Sequence, residues 1–352
     1  MLVGQEVVRN MRQKVFLQFV ALVVCVLLVS CTKEEKKEIV CWGDSLTSPH
    51  NGKGFKGKVK RIVKGAEAYP EHLQEMLGDD YEIINGGVGG ESTLTIMARQ
   101  GAYPMKLAHD VVIFKSDEAN YNTFVGNNDV DAFLSTYNAK RVTPLLQGGW
   151  DEDSPAQVNP CTINGKPFHL SSEAKFWREE GKYKFEYNYY IDADDEWAAT
   201  DTLKSGSIVE TYAMKNLRQK YANVFFIGQN GGFNDVADLI KQLKAMIAYS
   251  KSGRYIVISF HNPNRAMGTI SRMKEMEDSL SQCFGKHFIN LRKYMVTRGL
   301  ADAGLQPTQA DRDSIAKGKV PPQLMTDGTH FTSTGYNEIA KLVFGKMKEL
   351  GY

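Results

Sequence analysis

Short apolar runs alternate with amphipathic segments over most of the chain beyond residue 38. Apolar runs that stop at glycine or polar residues predict strands at residues 38–42, 81–84, 223–227, 255–260 and 287–291. Apolar residues at helical spacing predict helices at residues 69–77, 236–250, 273–283 and 336–349. Strands that alternate with helices pair in parallel through right-handed crossovers. The pattern therefore predicts an α/β domain with a parallel sheet.

The pattern changes between residues 103 and 211, where aromatic residues are concentrated and helical spacing is lost. Residues 184–189 alternate with a period of two, which is typical of a half-buried strand. Asn164 and Gly165 separate two short runs and form the dipeptide preferred in type I′ hairpin turns. We therefore expect a β-rich insertion at residues 103–211, which divides the α/β domain into residues 39–102 and 212–352.

The N-terminal segment has the pattern of a bacterial secretion signal. Arg12 and Lys14 precede an apolar run at residues 15–29. This run is shorter than the ~20 residues that a membrane-spanning helix needs. It ends in Leu-Val-Ser-Cys, which resembles a lipobox, with the cysteine at Cys31. In signals of that type the peptidase cleaves before the cysteine, whose thiol and amine are then acylated.

The resemblance to a lipobox predicts a signal peptide at residues 1–30 and a lipid-anchored tether at residues 31–38. The tether is dominated by Lys and Glu, so we expect it to be solvated rather than packed. The protein would cross the inner membrane and be held by lipid at the outer membrane or cell surface. Met11 is an alternative start. An ordinary signal peptide or a membrane anchor is the alternative to lipid attachment.

Charge excludes one class of partner. The 352 residues include 43 Lys and Arg and 41 Asp and Glu, and three of these basic residues and one of the acidic residues lie in residues 1–30. The remainder therefore balances at 40 of each. A neutral domain without a stripe of basic residues lacks the electrostatic footprint of nucleic-acid binding. We expect no nucleic-acid partner, and the sequence does not indicate an oligomeric state.

Cysteine and histidine spacing gives no indication of a metal or another cofactor. Cys41, Cys161 and Cys283 remain outside the signal, and their odd number argues against a disulfide framework. The histidines lack the paired spacing of metal ligands. We therefore predict no metal site and no cofactor, with the three thiols packed in the interior.

Two motifs at opposite ends of the α/β domain carry residues suited to nucleophilic catalysis. Ser45 directly follows the first predicted strand, and the carboxyl edge of an open α/β sheet is where ligands bind. Asp327 precedes His330 by three residues, so its carboxylate could reach Nδ1 and leave Nε2 free to accept a serine proton. Each motif alone has a simpler interpretation, because Ser45 could cap a helix and Asp327 could begin a turn.

These motifs, Gly-Asp-Ser-Leu at residues 43–46 and Asp-Gly-Thr-His at residues 327–330, resemble the first and last blocks of the SGNH, or GDSL, hydrolase family. The segment at residues 85–92 resembles the second block of that family, in which Gly90 occupies the position of an oxyanion-hole glycine. The resemblance covers residues 38–101 and 211–352. It implies a three-layer α/β/α, flavodoxin-like fold with a parallel sheet, carrying the β-rich insertion.

The third block of the family supplies an asparagine to the oxyanion hole, and two positions compete for this role. Asn128 lies in a literal Gly-Asn-Asn-Asp sequence, but no apolar strand leads into it. Asn230 follows the strong strand at residues 223–227, so we prefer it. Gly231 departs from the family pattern, which has aspartate there.

The resemblance implies a serine esterase. Ser45 would be the nucleophile, His330 the base and Asp327 the residue that orients the imidazole. The Ser45 and Gly90 amides and the Asn230 side chain would form the oxyanion hole.

The family and the expected location favour short-chain esters as substrates, O-acetyl groups on a carbohydrate in particular. The alternatives are a lipase or thioesterase acting on longer acyl chains, and a non-catalytic glycan-binding lipoprotein. The sequence identifies neither the acyl chain nor the glycan.

Overall fold

A five-stranded parallel sheet is the centre of the unit formed by residues Lys37–Tyr352. The computed structural model describes residues 36–48, 68–116, 120–127, 136–137, 140–141, 158–180, 182–193, 199–263 and 268–352. The predicted signal peptide and Cys31 lie outside the described residues. Within these ranges no helix is both long and apolar enough to cross a bilayer.

The strands and helices are numbered in chain order. The strands are β1 (Lys37–Gly43), β2 (Tyr81–Gly87), β3 (Val111–Ile113), β4 (Asn120–Gly126), β5 (Thr136–Tyr137), β6 (Lys140–Arg141), β7 (Cys161–Ile163), β8 (Lys166–Glu179), β9 (Lys182–Ala193), β10 (Asp201–Leu203), β11 (Val209–Glu210), β12 (Ala222–Phe226), β13 (Tyr255–Ile258) and β14 (Phe288–Ile289). The α-helices are α1 (Tyr69–Leu77), α2 (Thr93–Gln100), α3 (Tyr212–Asn216), α4 (Val236–Ser250), α5 (Ile270–Phe284), α6 (Leu291–Tyr294), α7 (Leu300–Asp302), α8 (Gln309–Ala316) and α9 (Ser333–Leu350).

The central sheet has the strand order β14-β13-β12-β1-β2, and every pairing in it is parallel. The predicted α/β class with a parallel sheet is therefore confirmed. β1 pairs with β12 on one side and with β2 on the other. Because parallel strands all point the same way, the loops that follow them meet at one edge of the sheet.

Alternation along β1 divides the interior of this region into two hydrophobic clusters. Ile39 and Cys41 pack with buried residues of α1 and α9. Val40 and Trp42 pack with buried residues of α2, α4 and α5. All four side chains are almost completely buried, and each large one stabilises the fold by about 1.5–3 kcal/mol. β1 thus contributes to both clusters.

The chain between β2 and β12 forms antiparallel strands that do not join the parallel sheet within the described residues. β11, β7, β8, β9 and β4 make a second five-stranded sheet with its own cluster of buried residues. Asn164 and Gly165 connect β7 to β8 with φ values of 52° and 78°. Two successive positive φ values are those of a type I′ turn, so the predicted hairpin is confirmed.

The turn after β1 leaves no room for a side chain at Gly87, the last residue of β2. A Cβ atom there would lie 2.2 Å from the backbone nitrogen of Ser48 and 2.6 Å from the carbonyl carbon of Thr47. We predict that Gly87→Ala lowers the free energy of unfolding by about 1–3 kcal/mol, measured by urea denaturation, because backbone must move to admit the methyl group.

Gly253→Ala is the matched control for this substitution. A Cβ at Gly253 would meet no atom within 4 Å, so we expect a change within about 0.5 kcal/mol. Equal stabilities of the two variants would contradict the close approach of β2 to the turn after β1.

Candidate active site

Ser45 is held by a tight turn at the carboxyl end of β1. The backbone N–H groups of Thr47 and Ser48 donate to the carbonyl oxygen of Asp44 at 3.0 and 2.9 Å. The Leu46 N–H donates to Asp44 Oδ1 at 2.9 Å. This turn leaves Ser45 half-buried while Asp44 is 1% exposed. The side chain of Asp44 therefore stabilises the turn that presents the serine hydroxyl.

The structure brings Ser45, His330 and Asp327 into one hydrogen-bonded chain. Ser45 Oγ lies 3.0 Å from His330 Nε2, and His330 Nδ1 lies 2.8 Å from Asp327 Oδ2. A carboxylate can only accept, so the proton of a neutral His330 belongs on Nδ1. Nε2 then carries the lone pair that faces the serine hydroxyl. This is the arrangement of a nucleophile, its general base and an orienting acid.

Asp327, whose side chain is 56% exposed, is ionised at neutral pH. Partial desolvation acts to raise its pKa, but hydrogen bonds from the His330 side chain and from two backbone N–H groups outweigh that effect. The backbone donors are Thr329 at 2.6 Å and His330 at 2.7 Å, both to Oδ1. Together these donors lower the pKa of Asp327 to about 2. The acid is therefore charged at neutral pH.

The loop that carries Asp327 and His330 is closed at its base. Met325 and Phe331 form an antiparallel bridge, and the Thr326 N–H donates to the His330 carbonyl at 2.8 Å. The loop reverses within these few residues, which places the acid and the imidazole on the same short turn.

Asn230 lies beside the residues that adjoin Ser45 and Gly90 in the chain. Its Nδ2 donates to Asp44 Oδ2 at 3.3 Å and to the carbonyl oxygen of Glu91 at 3.1 Å. Gly90 has a φ of 76°, a conformation that favours glycine, in the turn after β2. The side-chain amide of Asn230 is thus next to the serine turn and the glycine turn. Asn128, the competing candidate, lies outside the described residues, as does Cys31.

Gly231 meets the start of helix α2. Its carbonyl oxygen accepts from the Thr93 N–H at 3.0 Å and from Thr93 Oγ1 at 3.1 Å. A Cβ at the next residue, Gly232, would lie 2.7 Å from Thr93 Oγ1. This crowding accounts for glycine at position 232, and φ values of 73° at Gly231 and 94° at Gly232 favour glycine at both positions. The next aspartate along the chain, Asp235, caps helix α4, where its Oδ1 accepts from the Asp238 N–H.

Two buried acids lie behind the serine and glycine turns. The pKa of Asp44 is raised to about 7 by burial and, to a smaller extent, by nearby Glu91, against the hydrogen bond from the Leu46 N–H, which lowers it. Burial also raises the pKa of Glu91, while Arg99 lowers it. Both carboxylate oxygens of Glu91 accept from Arg99, whose side chain is 0% exposed.

Two polar residues that follow β13, His261 and Asn262, hold the loop of His330 against the sheet, and sequence reasoning did not identify this role. The Nε2 atom of His261 lies 2.7 Å from the Thr329 carbonyl oxygen, and Asn262 Nδ2 donates to the Gly328 carbonyl at 2.8 Å. His261 and Asn262 could be placed near the site from the end of their strand, but no sequence motif marks these contacts.

Asn85 on β2 has a comparable role for the serine turn. Its Nδ2 donates to the Thr47 carbonyl oxygen at 2.8 Å and to Glu71 Oε1 at 2.9 Å. Its Oδ1 accepts from the Gly87 N–H at 2.9 Å. Asn85 therefore connects β2 to the turn of Ser45.

A cavity of about 740 Å³ adjoins the loop on the side of Asp327. Its lining combines polar residues, such as Asn262, Ser314 and Thr326, with apolar ones, such as Ile270, Val320 and Met325. Neither Ser45 nor His330 lines it, so the cavity lies beside the triad rather than at the nucleophile. In the part of the chain that the structure describes, no three His, Cys, Asp or Glu side chains are grouped to hold a metal.

No protein-family model matches the chain, and no curated protein sequence matches it significantly.

His261 generates a pH-dependent prediction for stability. Burial lowers its pKa to about 4 from 6.5, with His330 adding to the effect and the Thr329 carbonyl opposing it. Between these pH values the unfolded chain binds a proton that the native imidazole does not. Native stability should therefore fall as pH decreases from 6.5 towards 4.

The measurement compares urea denaturation of wild type and His261→Gln across this pH range. Relative to the variant, wild type should lose about 3 kcal/mol as pH falls to about 4. Other titrating groups, Asp44 included, cancel in the difference. Parallel curves for the two proteins would show that His261 is not buried in its neutral form.

Proposed function

We propose that the chain is a serine esterase of the SGNH type, with a three-layer α/β/α fold. The observation that carries the proposal is the hydrogen-bonded chain of Ser45, His330 and Asp327, built by residues up to 285 positions apart. A nucleophile, a base and an ionised acid in this order are what acyl transfer requires. The helices that pack on each of the two clusters of the parallel sheet support the three-layer arrangement.

In this proposal Ser45 Oγ attacks the ester carbonyl carbon while His330 Nε2 takes the hydroxyl proton. The imidazolium is stabilised by Asp327 and then gives its proton to the departing alcohol, leaving an acyl group on Ser45. Water loses a proton to Nε2 and attacks the acyl carbonyl. The proton returns to Ser45 Oγ as the carboxylic acid is released.

The developing oxyanion is assigned to the Ser45 and Gly90 backbone N–H groups and to the Asn230 side chain. The supporting contacts are those of Asn230 with Asp44 and with the Glu91 carbonyl, at 3.3 and 3.1 Å. The bond to Asp44 is the longer of the two. A charged oxyanion is a stronger acceptor and would draw that amide hydrogen in the transition state.

For the substrate we propose a short acyl ester, O-acetyl in particular, on a carbohydrate. The resemblance of the motifs around Ser45 and His330 to those of the SGNH family, together with the expected surface location, supports this choice of substrate. We also propose that Cys31 anchors the protein by lipid, so that it acts at the outer membrane or cell surface.

Ser45→Ala tests the nucleophile. Using protein that begins at Thr32, we predict hydrolysis of p-nitrophenyl esters that is highest for acetate. The variant should lose activity by a factor on the order of 10⁶, which takes it to background. The measurement is kcat/KM for each ester of a chain-length series.

Other outcomes would change the proposal. Highest activity on long esters would favour a lipase or thioesterase. If wild type and Ser45→Ala both bind a glycan and neither hydrolyses an ester, a glycan-binding protein would be favoured.

Asn230→Ala tests the oxyanion donor. We expect kcat to fall by about 10²–10³ with little change in KM, because the lost hydrogen bond strengthens in the transition state. Asn234→Ala, an exposed asparagine on the same loop, should retain wild-type kcat. A comparable loss in Asn128→Ala, with Asn230→Ala active, would assign the role to Asn128 instead.

A further inference from the structure

His261 is a buried polar residue that the proposed reaction does not use. It is 0% exposed, and its ring lies 4.5 Å from the ring of Phe331, the residue that follows His330. In the part of the chain that the structure describes, its Nδ1 atom has no hydrogen-bond partner. An unsatisfied buried nitrogen is costly compared with an apolar side chain. The presence of a histidine here, despite this energetic cost, points to a role that an apolar side chain could not fill.

The contact at its other nitrogen fixes the tautomer of His261. Nε2 lies 2.7 Å from the Thr329 carbonyl oxygen, and a carbonyl can only accept a hydrogen bond. The proton is therefore on Nε2. Burial lowers the pKa of His261 to about 4, so the ring is neutral at the pH at which His330 would act as a base. A neutral neighbour does not add a charge beside the imidazolium that forms on His330.

The acceptor of this bond belongs to the peptide group that joins Thr329 to His330. The carbonyl of that peptide group accepts from His261 at 2.7 Å, and its N–H donates to Asp327 Oδ1 at 2.7 Å. Both polar ends of one peptide plane are thus held. Since the plane is rigid, these two bonds set the direction in which the His330 side chain leaves the backbone.

His261 is also hydrogen-bonded to the loop that carries Asn230. The His261 N–H donates to Gln229 Oε1 at 3.3 Å, and Gln229 Nε2 donates to the Asn262 carbonyl at 3.0 Å. Gln229 is the residue before Asn230. The turns after β12 and β13 are therefore cross-linked to each other, and His261 and Asn262 connect them to the loop of His330.

We propose that His261, assisted by Asn262, is a positioning residue that holds the peptide before His330 and so keeps Nε2 of His330 aligned with Ser45. This inference rests on the proposed esterase function. Its effect should appear in kcat, because a misplacement of about 1 Å at a reacting group costs ~10²-fold in rate.

The test uses two substitutions that differ in reach. In His261→Gln the side-chain amide nitrogen can occupy the position of Nε2, whereas in His261→Asn it reaches only the position of Nδ1. For p-nitrophenyl acetate hydrolysis, we expect His261→Asn to lower kcat ~10–100-fold with KM within ~3-fold of wild type, and His261→Gln to retain most activity. Equal kcat values for His261→Asn, His261→Gln and wild type would overturn the proposal.

His287→Gln is the matched control. His287 also bonds a backbone carbonyl through one ring nitrogen, with Nδ1 3.0 Å from the Tyr255 oxygen at the start of β13. That contact is at the opposite end of the strand from His261. The control should keep wild-type kcat, and a loss equal to that of His261→Asn would show that any weakened histidine contact has this effect.

Asn262→Ala keeps the proposal testable if His261→Asn does not fold. Asn262 is only half-buried, and its bond to the Gly328 carbonyl is 2.8 Å long. We expect a ~5-fold lower kcat with unchanged KM, because the loop keeps one of its two ties. Wild-type kcat in Asn262→Ala, in the absence of folded His261→Asn, would count against the proposal.

A readout that needs no turnover separates this inference from the proposed function. The proton on His330 Nδ1, which is hydrogen-bonded to Asp327 Oδ2 at 2.8 Å, should give a downfield NMR signal that can be assigned by its loss in His330→Gln. We expect the signal to broaden in His261→Asn and to persist in His261→Gln and His287→Gln. No Ser45-dependent hydrolysis in wild type would refute the esterase, while an unchanged signal in His261→Asn would refute the positioning role.

Discussion

The register of β1 with its two neighbours is the constraint on which the site depends. Gly43, the last residue of β1, is level with Gly87 of β2 and with Phe226 of β12. The turns that follow these three strands therefore begin at the same level of the sheet, where Asn230 contacts Asp44, the residue before Ser45. A slip of one residue would move Trp42 out of its cluster and break the 2.9 Å hydrogen bond from its Nε1 to Asn223 Oδ1, so these specific contacts fix the register that the site needs.

A buried ion pair holds the glycine turn beside this edge. Arg99 extends from α2 to both carboxylate oxygens of Glu91 and also donates to the Gly86 carbonyl at 2.8 Å. Removing one partner of such a pair costs about 3–5 kcal/mol, because the other is left as an unpaired buried charge. The backbone carbonyl of Glu91 accepts from Asn230, and the side chain of the same Glu91 is held by Arg99. The ion pair therefore also fixes the position of this carbonyl.

Hydrophobic patterning predicted the strands and helices whose buried faces are apolar, and the motifs identified the three residues that the structure joins at 3.0 and 2.8 Å. Hydrophobic patterning missed α2 (Thr93–Gln100), because the buried face of this helix includes an arginine, which is ion-paired, and a glutamine. It predicted too long a strand at residues 287–291, because Asn290 caps the helix that follows. The contact of His261 with Thr329 joins positions 68 residues apart, so only the folded chain reveals it.

Two aspartates lie on either side of Ser45, and their surroundings shift their pKa values in opposite directions. Asp327 is largely exposed, so it is only slightly desolvated, and donors from its own loop bring its pKa to about 2. Asp44 is almost completely buried and has few donors, so desolvation brings its pKa to about 7. Of the two aspartates, only Asp327 is therefore fully ionised at neutral pH. Its negative charge is in the position that would stabilise an imidazolium at His330. A triad acid buried as deeply as Asp44 would need still more donors to stay ionised, so the exposure of Asp327 is compatible with its role.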